Sequence, residues 1–152
     1  MATDKQATGL TILRVSIGTF FIFEGIGKIR WLTNPSLLAA QLSSWLQAAP
    51  AGSLSHPYLE RMAIPHVGLF ARLVPIGEIA SGIAMVTGFW TPVFAFVAFF
   101  MALNFLFASS ALFKYSFLTN GYGLPVLGST LALALAGGRK GKSKKVKSKS
   151  EA

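Results

Sequence analysis

The sequence predicts an all-α integral membrane protein, folded as a four-helix bundle with a short interfacial helix in its first outer loop. Of its 152 residues, 53% are hydrophobic and only 12% are charged, and the mean hydropathy is +0.57. This leaves too little polar surface to coat a soluble domain of that size. Four apolar runs approach the roughly 20 residues that a helix needs to cross the hydrocarbon core. They lack the alternation of a membrane strand, so helices are expected.

The four predicted spans lie at about 9–31, 66–89, 91–113 and 120–138. Only GFWTP separates the second span from the third, and its Gly88 and Pro92 are residues that stop and restart helices. These two spans should therefore form an antiparallel hairpin. The fourth run is short and contains Pro125. We expect residues 1–138 to form the membrane domain and residues 139–152 to form a separate tail.

The first loop contains NPSLLAAQLSSWLQAAP, which predicts a short amphipathic helix. Asn34 is a good N-cap and Pro35 a good first helical residue. Leu38, Leu42 and Trp45 then recur at helical spacing among polar residues. We expect this helix at the outer membrane interface, either as a simple anchor or as a cover over a lateral opening in the bundle.

The chain ends in a basic tail, which holds seven of its fourteen Lys and Arg residues within 139–152. Such a run cannot bury a core and should be disordered. The positive-inside rule predicts a cytoplasmic tail, and four crossings return the N-terminus to the same side. The tail is either a solvated topology signal or a docking segment for anionic lipid or an acidic protein surface.

Charged residues within the apolar runs are the candidate site. An unpaired charge at the bilayer centre costs at least about 2.5 kcal/mol, so these groups should face the bundle interior and one another. Glu24 and Lys28 have the favourable four-residue spacing. Rise along the two helices puts Arg72 level with Glu24, and lets Arg14 reach toward Glu78. This candidate cluster either binds a ligand or only holds the helices together. Its residues are Arg14, Glu24, Lys28, Arg72, Glu78 and Asn104.

Small residues should let the helix backbones approach closely around these charges. The candidates on the first helix are Gly18 and Gly25, on the second Gly77 and Ser81, and on the fourth Gly128, Ala132 and Ala136.

The residue inventory offers little redox chemistry of its own. The sequence has no cysteine, which excludes disulfides, thiolate metal sites, iron–sulfur clusters and covalent c-type haem. It has two histidines, and neither lies on a predicted span opposite the other. We expect no catalytic residue, no metal and no intrinsic cofactor, and we name quinone, lipid or pigment as candidate ligands.

Two patterns resemble the DoxX family of small bacterial membrane proteins. They are LRVSIGTFFIFEGIGKI on the first helix and PIGEIASGIAMVTGFWTP on the second, and the closing LALALAGGRK is similar to the end of the family's fourth helix. Glu24 and the basic tail are not part of that pattern. The resemblance implies a four-helix protein of the bacterial inner membrane, often found with partner subunits, whose namesake relatives belong to a thiosulfate:quinone oxidoreductase. It also implies recurrent polar positions at Arg14, Lys28 and Glu78.

Three functions remain open at this point. We expect a subunit of a membrane electron-transfer complex, without its own redox centre, which contacts quinone or lipid and is non-catalytic by itself. The second reading is a structural accessory subunit of a respiratory or photosynthetic complex that binds lipid or pigment. The third is a small transporter, which is less favoured because the two halves lack paired broken helices. Expected partners are membrane lipids and larger redox subunits, and no nucleic acid.

Overall fold

The computed structural model describes residues 2–119 and 122–136, and within these ranges the chain is helical and contains no strand. Its helices are α1 (Ala2–Gly27), α2 (Ser36–Ala48), α3 (Ser55–Tyr58), α4 (Val67–Thr87), α5 (Thr91–Ala108), α6 (Ser116–Thr119) and α7 (Leu124–Ala136). Short 3-10 turns form at Ile29–Leu32 and Ala111–Phe113, and a π-helical turn at Leu59–Ala63. The predicted all-α class is confirmed for this part of the chain. The basic tail at 139–152 lies outside it.

Three segments are long and apolar enough to cross a membrane: Asp4–Gly27 of α1, α4 and α5. They correspond to the first three predicted spans. The first α-helix ends earlier than expected, because the chain tightens into the 3-10 turn after Lys28. The third ends at Ala108, shortly before Ser110, which has a left-handed φ of 57°. In the fourth predicted run, α7 covers 13 residues, or about 20 Å, against a hydrocarbon core of about 30 Å.

α1 and α4 pack with their backbones in contact. A Cβ added to Gly18 would lie 2.8 Å from the carbonyl oxygen of Gly82, and one added to Gly82 would lie 2.6 Å from the carbonyl oxygen of Gly18. Further along, a Cβ on Gly25 would lie 2.9 Å from the carbonyl oxygen of Pro75. Such close approach is possible only with glycine. The role predicted for Gly18 and Gly25 is therefore confirmed.

The small residues of the other helices behave differently from the prediction. The α4 residue that meets α1 is Gly82, whereas a Cβ on Gly77 would lie 3.0 Å from the sulfur of Met101 on α5. A Cβ on Gly128 of α7 would meet no described atom within 4 Å. Sequence spacing alone finds small residues but does not tell which neighbour each one faces.

Within the described residues, α1, α4, α5 and α7 surround an apolar core. α1 packs on α4 and α7, and α5 packs on the same two helices. Each contributes to the buried cluster of Phe21, Met85, Ala95, Ala98, Val126 and Leu133. The predicted α4–α5 hairpin is confirmed, because α4 ends at Gly88, whose φ of 81° is left-handed, and α5 starts at Thr91.

α2 forms where a helix was predicted in the first loop. It begins one residue later than expected, at Ser36, with Pro35 in the N-cap position. Asn34 still satisfies the helix start, because its Oδ1 accepts a hydrogen bond from the backbone N–H of Ser36 at 3.2 Å. The buried side chains of α2 are Leu38 and Leu42, which belong to a cluster with residues of the π turn, α4 and α5. Its apolar face therefore covers one end of the bundle.

Candidate functional site

Glu24 and Lys28 lie one helical turn apart at the end of α1. Lys28 Nζ donates a hydrogen bond to Glu24 Oε2 at 2.9 Å. Residues four apart share a helix face, and the order of carboxylate before lysine also suits the helix dipole. The pairing predicted from this spacing is confirmed.

The same ammonium group joins α1 to α4. Lys28 Nζ donates to both carboxylate oxygens of Glu78, at 2.7 and 2.8 Å. The side chain of Glu78 is only 4% exposed, compared with 17% for Lys28 and 26% for Glu24. We call these three residues the carboxylate–lysine cluster. Glu78 is its buried end, and Glu24 is the end that is open to a ligand.

Tyr122 adds a fourth polar group from the segment before α7. Its hydroxyl donates to Glu24 Oε1 at 2.7 Å, across 98 positions of sequence. That hydrogen bond to a carboxylate, with partial burial, raises the pKa of Tyr122 to about 12. The phenol therefore remains a protonated donor at neutral pH.

The cluster borders a cavity of about 450 Å³ between α1, α2, α4, α5 and the start of α7. Aromatic rings form much of its wall, and the Phe105 ring centroid lies 5.1 Å from Lys28 Nζ, within cation–π distance. Gln41 and Trp45 show that α2 closes part of the opening. The aromatic lining residues are Phe20, Phe21, Trp31, Trp45, Phe105 and Tyr122.

This combination suits an amphipathic molecule. Ligand cavities of a few hundred cubic ångströms are typically apolar with a few well-placed polar groups that fix orientation. Here the charged groups all lie on one side, where α1 and α4 meet, and aromatic rings form much of the remaining wall. A planar head group could lie against the rings while its polar atoms meet Glu24.

Two of the pairings expected from depth are wrong. Among the residues that the structure describes, Arg72 is exposed and forms no ion pair with Glu24. Arg14 does not approach Glu78, because its guanidinium lies against Gly88, where an added Cβ would be 2.4 Å from Nη1. The rise along a helix gives the depth of a side chain in the membrane, but not the direction in which it points around the helix axis. Arg72 and Glu78 differ by six residues, which turns them about 120° apart around α4.

Asn104 also lies apart from the cluster. Its amide donates to the hydroxyl of Tyr58 at 2.6 Å, so it connects α5 to α3. Of the six predicted site residues, the structure therefore brings together Glu24, Lys28 and Glu78. Arg14, Arg72 and Asn104 lie elsewhere.

Sequence reasoning missed Tyr122 and the aromatic wall. Tyr122 falls inside the fourth predicted span at 120–138, and its partner Glu24 is 98 positions away in the sequence. Trp45 was recognised on the apolar face of α2, but the cavity that it lines forms only when α2 packs across the bundle. The one sequence feature that pointed to this cavity was the amphipathic helix of the first loop, which was predicted either to anchor the chain or to cover a lateral opening in the bundle.

Within the described ranges, no three His, Asp or Glu side chains come together as a metal site. The two carboxylates of the cluster are instead joined by the Lys28 ammonium.

These features define a helical membrane protein with an ion-pair cluster beside an aromatic cavity. A family model, DoxX, matches residues 9–111, which is more than half of the chain. The chain belongs to the DoxX family. The matched residues include the carboxylate–lysine cluster, whereas Tyr122 and α7 follow them. No curated protein and no solved structure matches the chain.

Proposed function

We propose that this protein is an integral subunit of an electron-transfer complex in the bacterial inner membrane, where its cavity binds the head group of a quinone-type lipid. The subunit has no redox centre of its own, and the redox cofactors belong to its partners. It crosses the membrane four times, with both termini in the cytoplasm and with α2 at the outer interface. α7 belongs to the fourth crossing.

The observation that carries this proposal is the position of Glu24, Lys28, Glu78 and Tyr122 on one side of an aromatic cavity. The cavity volume of about 450 Å³ suits a substituted benzoquinone ring and the start of its tail. Its rings can stack on a planar ligand. A carboxylate beside the ring could also exchange the protons that accompany quinone chemistry.

A cavity-filling substitution tests ligand binding directly. Ala102 lines the cavity, so Ala102→Phe should occupy the space where the ring would lie. Ala80→Phe adds the same side chain at an exposed position of α4 and serves as the matched control. Each protein would be purified in nanodiscs from native membrane, and the retained lipids would be extracted and identified by mass spectrometry.

We expect quinone-type lipid in the wild-type and Ala80→Phe samples and a loss of at least several-fold in Ala102→Phe. Equal quinone content in all three, at the level of empty nanodiscs, would refute the proposal. An enriched phospholipid or pigment in its place would favour the structural accessory reading, since the cavity would then hold a different occupant.

The partner part of the proposal has its own test. Gentle solubilisation followed by mass spectrometry and an absorption spectrum should find larger subunits that carry redox cofactors. A colourless, isolated protein that reduces quinone with thiosulfate or a thiol would instead show that it is an enzyme by itself.

A further inference from the structure

The hydrogen-bond donors of the carboxylate–lysine cluster are already engaged. A lysine ammonium has three N–H donors. Lys28 donates to Glu24 at 2.9 Å and to the two oxygens of the Glu78 carboxylate, which share a donor at 2.7 and 2.8 Å, and its Nζ also lies 5.1 Å from the Phe105 ring centroid. The hydroxyl hydrogen of Tyr122 is likewise donated to Glu24.

The acceptors of the cluster are not exhausted. An ionised carboxylate offers about four lone-pair positions. Glu24 receives one hydrogen bond from Lys28 and one from Tyr122. Its side chain is also the most exposed of the three, at 26%. A ligand that approaches the cluster therefore meets oxygen atoms that can still accept.

The formal charge of the cluster leads to the same conclusion. Two carboxylates and one ammonium leave a single negative charge, and no other Asp, Glu, Lys or Arg is among the described residues that line the cavity. In a site of low dielectric constant, that charge repels an anion and attracts the positive end of an O–H or N–H bond.

Quinones and hydroquinones differ in this respect. A quinone has two carbonyl oxygens, which only accept, whereas a hydroquinone has two hydroxyl groups, which also donate. A carbonyl placed against Glu24 would remove water from a carboxylate and give no hydrogen bond in return. The other lining residues that carry an N–H or O–H group are Trp31, Gln41, Trp45 and Ser109, which belong to the first 3-10 turn, α2 and the end of α5, and not to the cluster.

Resting on the proposed function, we propose that the cavity selects the reduced, hydrogen-bond-donating form of its ligand, a hydroquinone that donates a hydroxyl to Glu24, over the oxidised quinone. A site that leaves a polar group unpaired with the wrong ligand rejects that ligand strongly. We expect the hydroquinone to bind about tenfold more tightly or better. Because binding then stabilises the reduced form, each factor of ten raises the two-electron midpoint potential of the bound couple by about 30 mV.

Three probes that differ only in their hydrogen-bonding groups test this inference. They are decylubiquinol, decylubiquinone and the dimethyl ether of decylubiquinol, in which both hydroxyl groups are methylated. Dissociation constants would be measured by anaerobic calorimetry with the full chain in nanodiscs, and empty nanodiscs would correct for partition into lipid. The quinol should bind at least tenfold more tightly than the quinone and the ether.

Glu24→Gln sharpens the test, because the amide replaces one acceptor with an N–H₂ donor that a quinone carbonyl can use. It should reduce the preference for the quinol. Glu60→Gln makes the same chemical change on an exposed side chain outside the cavity and should retain the preference.

If the quinone binds as tightly as the quinol or more tightly, and Ala102→Phe abolishes that binding, this inference is overturned while the proposed function stands. A wild-type protein that binds none of the three probes would refute both. A preference for the quinol that survives Glu24→Gln unchanged would overturn the role given to Glu24.

Discussion

Lys28 and Glu78, fifty positions apart in the sequence, are joined by two hydrogen bonds of 2.7 and 2.8 Å across the interface between α1 and α4. The same two helices touch at Gly18 and Gly82. The ionic contact lies toward the C-terminal end of α1, and the glycine contact lies nearer its middle. Together they fix the register of the helix pair, because sliding one helix along the other would break both contacts.

Lys28→Met should destabilise the protein strongly. It leaves Glu24 and the nearly buried Glu78 without their shared cation, and breaking a buried pair from one side costs about 3 to 5 kcal/mol. Adding Glu78→Gln should recover much of this loss, because the more deeply buried uncompensated charge is then removed. Unfolding by denaturant in detergent micelles would give all four stabilities of the cycle.

The pair Glu24 and Arg72 provides a matched control for that cycle. Arg72 is exposed and pairs with no carboxylate in the described part of the chain. The effects of Glu24→Gln and Arg72→Met should therefore add, with a coupling energy near zero. Strong coupling here, or strict additivity for Lys28 and Glu78, would contradict the structure.

Gly82→Ala should weaken the contact between α1 and α4. Its Cβ would lie 2.6 Å from the carbonyl oxygen of Gly18 and 2.7 Å from the backbone nitrogen of Ile22, neither of which can rotate away. We expect a loss of about 1 to 3 kcal/mol, as for other overpacked sites. Gly128→Ala, where the new Cβ meets no described atom within 4 Å, should have little effect or a small gain from helix propensity. Equal losses in the two variants would show that the backbones do not touch.

Gly88→Ala should cost more than Gly52→Ala. Both glycines have a left-handed φ, 81° and 83°, so both substitutions carry the same conformational penalty of about 1 to 2 kcal/mol. Only at Gly88 does the new Cβ also meet Arg14, 2.4 Å from Nη1, so the end of this flexible side chain must shift and the added cost is small. In an Arg14→Met background the two substitutions should therefore have similar costs, and thermal unfolding in detergent would measure the four differences. If Gly88→Ala still costs more stability than Gly52→Ala in the Arg14→Met background, another contact is responsible for the difference.

The proposed orientation makes a separate prediction about labelling in cells. A cysteine at Ser53 should react with an impermeant reagent from outside, and a reporter fused after Ala152 should remain cytoplasmic. Removing the residues after Gly138 should weaken this orientation, because they supply seven of the fourteen positive charges. A C-terminal reporter that is found outside would invert the assignment.

Helix type and approximate position could be predicted from sequence because they depend on local properties. Apolar runs, the turn at Gly88 and the cap around Asn34 act over a few residues. The ends were less predictable. α1 extends back to Ala2 beyond the apolar run, and α5 stops at Ala108 because Ser110 adopts a left-handed conformation that its sequence does not require.

The site was only partly predictable, because it depends on which way each helix faces. The Glu24–Lys28 pair follows from spacing within one helix. The partner of Glu78 could not be found from depth, because depth does not tell which way a side chain faces. Lys28 directly follows α1, and the close packing of Gly25 against Pro75 lies beside its contact with Glu78. Tyr122 required the tertiary structure, since its contact with Glu24 spans 98 positions.

The shared ammonium also has a consequence for biogenesis. Glu24 lies on α1 and Lys28 directly follows it, so these two charges can enter the membrane already paired with each other. Glu78 has no cation within four residues on its own helix, and the ammonium that binds it was synthesised fifty residues earlier. At a translation rate of about 5 to 20 residues per second, Lys28 is synthesised some 3 to 10 seconds before Glu78. The nascent chain therefore supplies the charge before the helix that needs it, and an order of synthesis with α4 first would have to insert Glu78 alone.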